Sequence, residues 1–490
     1  MSRHSYAAAI AAFFLLGACV GSGPDSVGLA PSPPDPDGGG ADDSGLAQPP
    51  DVEGKATGEM ALSLPDGKLT LVRGSTASVK VTLERKGSFA GAVNIAIVGA
   101  PAGLTAKPLE LASDATTGDL ELAVGKDVPQ GDLANVHVSA SNPALKDRAT
   151  FPLTAFVRGA PGDIDTSYGD QGVVTLGTLF DIGIPNPTTG EVYFSSSGLK
   201  RYRADGTLDA SFSGSTITGP LAGNYIYSCD ATGTGGEPEA ILSARRVSIV
   251  TGQADTVFRP VSPTLSGNVS KYDCLASAAG NVALIGASYG ATATPAYGHV
   301  AWFSPAGAYT TRFSTGSPDD FRVGVFVADG IVVSTTAGIA KIKTGATALD
   351  TSFGAGGRVT LAGAGALTSI VEDADKKLLV ANATYTARVT AAGSLDGTFV
   401  PASTGLAPTP GQARLAVQGD GKILKAVQLG TGDGRACAIS RYLPTGALDA
   451  TFGDQGNALY PVTPCSPALL AVTADKKILV GSPKVLRIWD

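Results

Sequence analysis

The sequence predicts an all-β protein: an immunoglobulin-like β-sandwich followed by a seven-bladed β-propeller that is closed by its own N-terminal strand. Three observations predict it. Short runs of alternating apolar and polar residues fill the segment 56–158. From 161 onward an anchor phrase, Leu-Asp-x-Ser/Thr-Phe, returns every several tens of residues, which is the spacing of a repeat architecture. In phase with it runs a second phrase, a tight polar turn followed by an apolar strand.

The first element is a processing signal, residues 1–18. Arg3 and His4 precede an apolar run from Tyr6 to Ala18, shorter than the roughly 20 residues a bilayer span requires. Leu16-Gly17-Ala18-Cys19 resembles a bacterial lipobox, which implies that Cys19 is the lipid attachment residue and the mature N-terminus. Two or three acyl chains anchor a protein stably where one is marginal. Val20 follows the Cys instead of Asp, which by resemblance to enterobacterial lipoproteins implies the outer membrane. Residues 19–55 are a tether. Pro31-Ser32-Pro33-Pro34-Asp35-Pro36-Asp37-Gly38-Gly39-Gly40 has nothing to bury and predicts an extended or disordered spacer.

Residues 56–158 alternate with period two in Leu62-Ser63-Leu64, Leu69-Thr70-Leu71, Val79-Lys80-Val81-Thr82-Leu83 and Val93-Asn94-Ile95-Ala96-Ile97. Leu120 to Val124, Val136-His137-Val138 and Phe151-Pro152-Leu153 continue the pattern. Half-buried strands produce this alternation, and about seven of them in roughly 100 residues fit an immunoglobulin-like sandwich. The order Arg73-Gly74, Val79 to Leu83, Gly99-Ala100-Pro101-Ala102-Gly103-Leu104 resembles bacterial surface immunoglobulin-like domains.

Residues 161–490 carry the repeats. The aromatic of the anchor phrase falls at Tyr168, Phe212, Phe258, Phe313, Phe353, Phe399 and Phe452, at intervals of 44, 46, 55, 40, 46 and 53 residues. The turn phrase reads Asp375-Lys376-Lys377, Asp420-Gly421-Lys422 and Asp475-Lys476-Lys477, each before an apolar run. Less regular copies stand at Thr189-Gly190, Ala279-Gly280, Asp329-Gly330 and near Gly236 to Ile241. Asp-Gly between apolar runs is a strong hairpin signal. Read through once, Leu367 to Val371, Leu378 to Ala381 and Tyr385 to Val389 are three strands, and an outer strand begins after Leu395-Asp396. Four antiparallel strands in about 45 residues make a propeller blade. Leu and Phe of the phrase are expected to pack between blades while Asp caps its turn. The units around Phe258 and Phe313 depart from the pattern, which bounds the count at six to eight blades.

Val485 to Trp489 reads as a third strand, and Val173 to Leu176 as an outer strand with no blade before it. The two are expected to pair and so close the ring, hiding edges that would otherwise invite aggregation. Asp350 to Gly357, and Asp420 to Lys422 with Leu448 to Gly456, resemble the bacterial delta-60 repeat family. That resemblance implies a surface or secreted propeller and no common catalytic residue. Apart from Cys19, four cysteines remain, an even number that suggests disulfides in an exported chain. Cys229 and Cys274 are placed before the hairpin turns of neighbouring blades, and Cys437 and Cys465 straddle the sixth and seventh. The expected pairs are Cys229–Cys274 and Cys437–Cys465.

Chemistry is sparse. Charged residues make up 16% of the chain at a net charge of −7, which argues against nucleic acid or an anionic membrane surface as the main partner. His137 lies in the sandwich and His299 on a strand, so no triad forms around them, and no phosphate-cradling or nucleophile-elbow motif is present. The recurrent Asp165, Asp209, Asp255, Asp350, Asp396 and Asp449 fall at turns, one per unit, as repetition alone dictates. Trp302 and Trp489 are too few for a sugar platform. No catalytic residue, metal site or cofactor is expected. The expected function is a lipid-anchored, non-catalytic binding or scaffold module of the cell envelope, with a protein or polysaccharide partner. The alternatives are a periplasmic outer-membrane assembly factor and a propeller hydrolase or lyase acting on carbohydrate.

Overall fold

A computed structural model describes residues 58–145, 148–177, 183–195, 198–232, 239–258, 264–266, 268–289, 296–315 and 319–490. The processing signal, Cys19 and the tether lie outside the described residues. Lys55–Asp490 form one compact unit.

The alternating segment folds into two four-stranded sheets around one apolar core. One sheet has the order Gly58–Ser63, Thr76–Gly87, Thr117–Val124, Leu104–Ala106, and the other Ala149–Pro152, His137–Ser141, Val93–Val98, Leu109–Leu111. Val79, Val81 and Leu83 alternate inward from the first, against Val93, Ile95 and Val138 of the second. A third small sheet pairs Leu69–Val72 in parallel with Ala155–Arg158.

Seven sheets follow among the described residues, each built from consecutive antiparallel strands except the last. Blade 1 is Ile184–Pro185, Val192–Ser195, Leu199–Tyr202, and blade 2 is Leu221–Ala222, Tyr225–Thr232, Glu239–Ser248, Thr264–Ser266. Blade 3 is Asn268–Ala276, Val282–Tyr289, Ala296–Phe303, Tyr309–Ser314, and blade 4 is Gly324–Val327, Gly330–Thr335, Gly338–Lys343, Arg358–Thr360. Blade 5 is Ser369–Glu372, Leu378–Ala381, Thr386–Val389, and blade 6 is Ala413–Val417, Ile423–Leu429, Ala436–Tyr442, Asn457–Tyr460. Blade 7 takes Leu470–Val472, Ile478–Val480 and Lys484–Ile488 from one end of the propeller segment and Val173–Thr175 from the other. The closing register is Val173 to Leu486, Val174 to Val485 and Thr175 to Lys484.

Apolar clusters fill the seven gaps between consecutive blades, and each holds one anchor aromatic. Phe399 packs with Leu379 and Leu415 between blades 5 and 6, and Phe452 with Leu424 and Ile478 between blades 6 and 7. Tyr168 packs with Leu479 and Val192 between blades 7 and 1. The phrase aromatic of each blade therefore wedges against the next, and the set closes a ring.

Four details differ from the sequence reading. The anchor Leu does not pack between blades in every copy: Leu208 and Leu395 are 47% and 57% exposed, because each pairs across the mouth of a hairpin, opposite Tyr202 and Val389. Blade 5 has no regular outer strand. Its segment carries Pro401, Pro408 and Pro410, which cannot donate to a ladder, and Val400 N–H turns instead to the Thr445 carbonyl of blade 6 at 2.9 Å. In blade 2 the inner turn is Gly223-Asn224, joining strands that pair Ala222 with Tyr225. The copy expected near Gly236 to Ile241 lies partly outside the described residues, and the strand there begins at Glu239. Cys229 accordingly follows its hairpin turn, on the second strand of blade 2.

Candidate functional site

The recurrent carboxylates invite a functional reading, so their surroundings decide it. In blade 5 the Asp396 Oδ1 accepts hydrogen bonds from Thr398 N–H at 3.0 Å and the Thr398 hydroxyl at 2.6 Å. Its Oδ2 accepts from Arg388 Nε at 2.8 Å and Lys377 Nζ at 2.9 Å. The Phe399 N–H returns to the Asp396 carbonyl at 3.1 Å, which closes the turn. The Arg388 guanidinium lies 5.0 Å from the Phe399 ring centroid, and its Nη1 donates to the Pro444 carbonyl of blade 6 at 2.8 Å. One side chain thus pairs the anchor Asp, covers the anchor ring and reaches the next blade.

The same joint recurs. Arg201 pairs with Asp209 at 2.5 Å, Arg246 with Asp255 at 2.7 Å, Arg441 with Asp449 at 2.9 Å and Arg487 with Asp165 at 2.9 Å. These guanidinium groups stand 4.6–4.8 Å from Phe212, Phe258, Phe452 and Tyr168. Arg246, Arg441 and Arg487 also reach Pro305, Asp490 and Ala204 in the following blades. The Lys of the turn phrase joins the same carboxylate: Lys422 at 3.8 Å from Asp449 and Lys477 at 3.1 Å from Asp165. The two phrases therefore run in phase because they bond to each other.

This arrangement holds the carboxyls ionised. The Thr398 hydroxyl, followed by Lys377, keeps Asp396 well below the usual range. The Ser352 hydroxyl brings Asp350 down to about 2 against the opposing effect of burial. Hydrogen bonds and cations that favour the charged form outweigh desolvation here. Among the described residues no three His, Cys, Asp or Glu side chains converge as metal ligands do.

The sequence reading missed the Arg of the third strand. Its signal is a basic residue eight or nine positions before the anchor Asp in five copies, at 201, 246, 388 and 441, with Lys341 before Asp350; Asp165 takes Arg487 from the other end of the ring instead. Blade 3 lacks the joint altogether. Trp302 stands at the Arg position and Thr310 at the Asp position, and the stretch pairs directly as a strand, Phe303 opposite Tyr309.

The remaining candidates resolve as follows. His299 is fully buried on the third strand of blade 3, and burial followed by nearby Arg312 brings it down to about 4. His137 hydrogen-bonds the Asn135 carbonyl at 3.1 Å on the sandwich. The disulfides Cys229–Cys274 and Cys437–Cys465 are formed, with Cα atoms 5.5 Å apart in each. The first ties blade 2 to blade 3. The second ties the third strand of blade 6 to the segment entering blade 7. On the inner strands, Arg414 of blade 6 donates to the Thr368 carbonyl of blade 5 at 2.7 Å and the Ala468 carbonyl before blade 7 at 3.3 Å. Burial lowers its pKa, opposed by attraction to Asp273. Asp273 belongs to the first strand of blade 3.

Residues 190–212 match the family described as "Domain of unknown function (DUF5122) beta-propeller". They span the inner turn, two strands and the anchor phrase of blade 1, in agreement with the propeller. No curated protein matches the chain. Among solved structures, the extracellular domain of the one component system BT4673 from B. thetaiotaomicron is 14% identical with a TM-score of 0.24. That match covers 71% of this chain and 43% of that one, so the chain spans less than half its length. Domains 4-9 of surface layer protein SbsC are 11% identical with a TM-score of 0.16, covering 82% of each chain.

Proposed function

We propose that this chain is a non-catalytic binding or scaffold module of the cell envelope, held to the outer membrane through lipid on Cys19. An immunoglobulin-like stalk and a delta-60-like propeller then present the irregular loops to an envelope protein or polysaccharide. One observation carries the reading: the carboxylates that recur around the ring are each engaged by their own Arg or Lys, and by a Ser or Thr two residues on or, at Asp255, by backbone N–H groups, as structural joints. A scaffold with variable loops is what such a distribution of charge leaves for function. Two disulfides between blades support an exported, oxidising location.

Fractionation and protease shaving of intact cells test the reading together. The native chain should partition with membranes and Cys19→Ala should release it to the soluble fraction. Cleavage of the anchored protein on unbroken cells places the propeller outside. A soluble native chain refutes the anchor, and protection from protease assigns the scaffold to the periplasmic face.

A further inference from the structure

Blade 5 leaves its third strand, Thr386–Val389, with a free edge. The ladder to the second strand turns Tyr385 inward, its carbonyl accepting the Asn382 N–H at 3.1 Å, so Thr386 and Arg388 present their backbone groups outward. The Arg388 carbonyl takes the Asp396 N–H at 2.8 Å. The Arg388 N–H and both backbone groups of Thr386 have no partner among the described residues. In blades 4, 6 and 7 the same N–H, of Lys341, Arg441 and Arg487, reaches the carbonyls of Gly357, Gly456 and Gly172 at 2.9–3.1 Å. An outer strand continues the pairing in each. Blade 1, whose sheet also has three strands, closes the position with Gly214, which exchanges two bonds with Leu199 at 2.8 and 2.9 Å.

Solvent reaches this edge. The two residues before the joint position are fully buried in blades 3, 4 and 7, as Val300 and Ala301, Ile339 and Ala340, Val485 and Leu486. Their counterparts in blade 5, Thr386 and Ala387, are partly exposed. The segment that would have covered them bonds to blade 6, Ala402 N–H to the Gly446 carbonyl at 2.9 Å and Thr409 N–H to the Gln428 carbonyl at 3.0 Å. The chain itself shows what fits such an edge. Blade 7 is completed by Val173–Thr175, a strand from the far end of the propeller segment, and the outer strand of blade 4, Arg358–Thr360, is no longer. These two read Gly172-Val173-Val174-Thr175-Leu176 and Gly357-Arg358-Val359-Thr360-Leu361.

We propose that the open edge of blade 5 binds an extended segment of a partner protein, which adds antiparallel to Thr386–Arg388 as the fourth strand. An unpaired edge is a template for such addition, main-chain bonds giving affinity and alternate side chains specificity. The segment expected is of the Gly-x-Val-x-Leu type, with no proline opposite Thr386, whose carbonyl needs a donor. This names a partner for the binding module proposed above and rests on that reading for its biology. The edge itself depends neither on the lipid anchor nor on which membrane face the propeller occupies.

Fluorescence anisotropy and amide hydrogen exchange on the full exported chain test this, with a labelled synthetic peptide of the sequence Ala355–Gly363 as the probe. In the free chain the Thr386 and Arg388 amides should exchange at least a hundredfold faster than those of Ile339 and Lys341 in blade 4. The peptide should bind saturably below millimolar concentration and slow the two amides at least tenfold. Val359 stands opposite Ile339, the counterpart of Thr386, so Val359→Pro in the peptide should weaken binding at least tenfold. Thr386→Pro removes an edge donor without touching the inner ladder. That variant should keep the native melting temperature and lose at least tenfold in affinity. Equal protection of the blade 4 and blade 5 amides in the free monomeric chain, or no saturable binding at millimolar peptide, overturns the proposal. Protection that appears only as the chain dimerises, read by light scattering, assigns the edge to a second copy and also overturns it. Loss of the membrane anchor in fractionation would leave all of these results unchanged.

Discussion

Replacing Asp165 by Asn should weaken the ring at its closure. Asp165 has no exposed surface and accepts hydrogen bonds from the Ser167 hydroxyl at 2.7 Å, Arg487 Nε at 2.9 Å and Lys477 Nζ at 3.1 Å. Asn keeps the contact with Ser167 but leaves two cations, each 13% exposed, without their counterion. Removing one partner of a buried pair costs about 3–5 kcal/mol. Partial solvation of both cations places the expectation near the lower end, about 3 kcal/mol. With a urea dependence of roughly 3 kcal/mol per molar, the unfolding midpoint should fall by about 1 M. Tryptophan fluorescence is a suitable probe because Trp489 is buried beside the closure and donates to Gln130 at 2.8 Å. Hydrogen exchange should speed up first at Val173–Thr175 and Lys484–Ile488, whereas Asp396→Asn should affect only blades 5 and 6. A midpoint loss under about 0.3 M, below 1 kcal/mol by the same slope, would refute the view of the anchor Asp as a joint.

Further outcomes follow from the same structure. Native protein should show no labelling of Cys229, Cys274, Cys437 or Cys465, and opening either disulfide by a Cys→Ser pair should cost about 4 kcal/mol in the chain-entropy picture. Acid should act in two stages. His299 is held neutral to about 4 while the unfolded chain protonates it near its ordinary value, so stability should fall as pH drops from about 6.5 to 4. His299→Leu should flatten that stage. The anchor carboxyls, whose folded pKa values are depressed, contribute fully above their ordinary pKa of about 4 and lose that contribution only as pH falls further. A single decline centred below 4 in the native chain would contradict the His299 assignment. Gly453→Ala should lower the melting temperature measurably, because Gly453 has a φ of 55° and a Cβ there would meet the Asn457 carbonyl.

Much of the ring was legible because it rests on spacing. The anchor aromatics count the gaps between blades, and the outer strand without a blade before it gave away the closure. The cysteine pairs followed from their even number and from neighbouring blades, although Cys229 lies after its hairpin turn and not before it. The third-strand Arg escaped notice for a physical reason: a charged residue within a strand reads as an exposed face, and only the folded joint shows it lying over an aromatic ring. The missing outer strand of blade 5 was visible in three prolines but hidden by the regularity of the blade before them. Blade 2's inner turn, Gly223-Asn224, carries neither Asp nor Lys and so matched no phrase.

The closure has a consequence for biogenesis. Lys477 and Arg487 meet Asp165 across separations of 312 and 322 residues. During synthesis and export, the strand at Val173–Thr175 has no partner until Lys484–Ile488 has emerged. The sandwich, complete by Arg158, is free to fold first, and its Gln130 then binds the Ile164 carbonyl at 2.9 Å. In the folded protein that contact fixes Ile164, a few residues before the closing strand, to the sandwich. An unpaired edge is an aggregation hazard for as long as it waits.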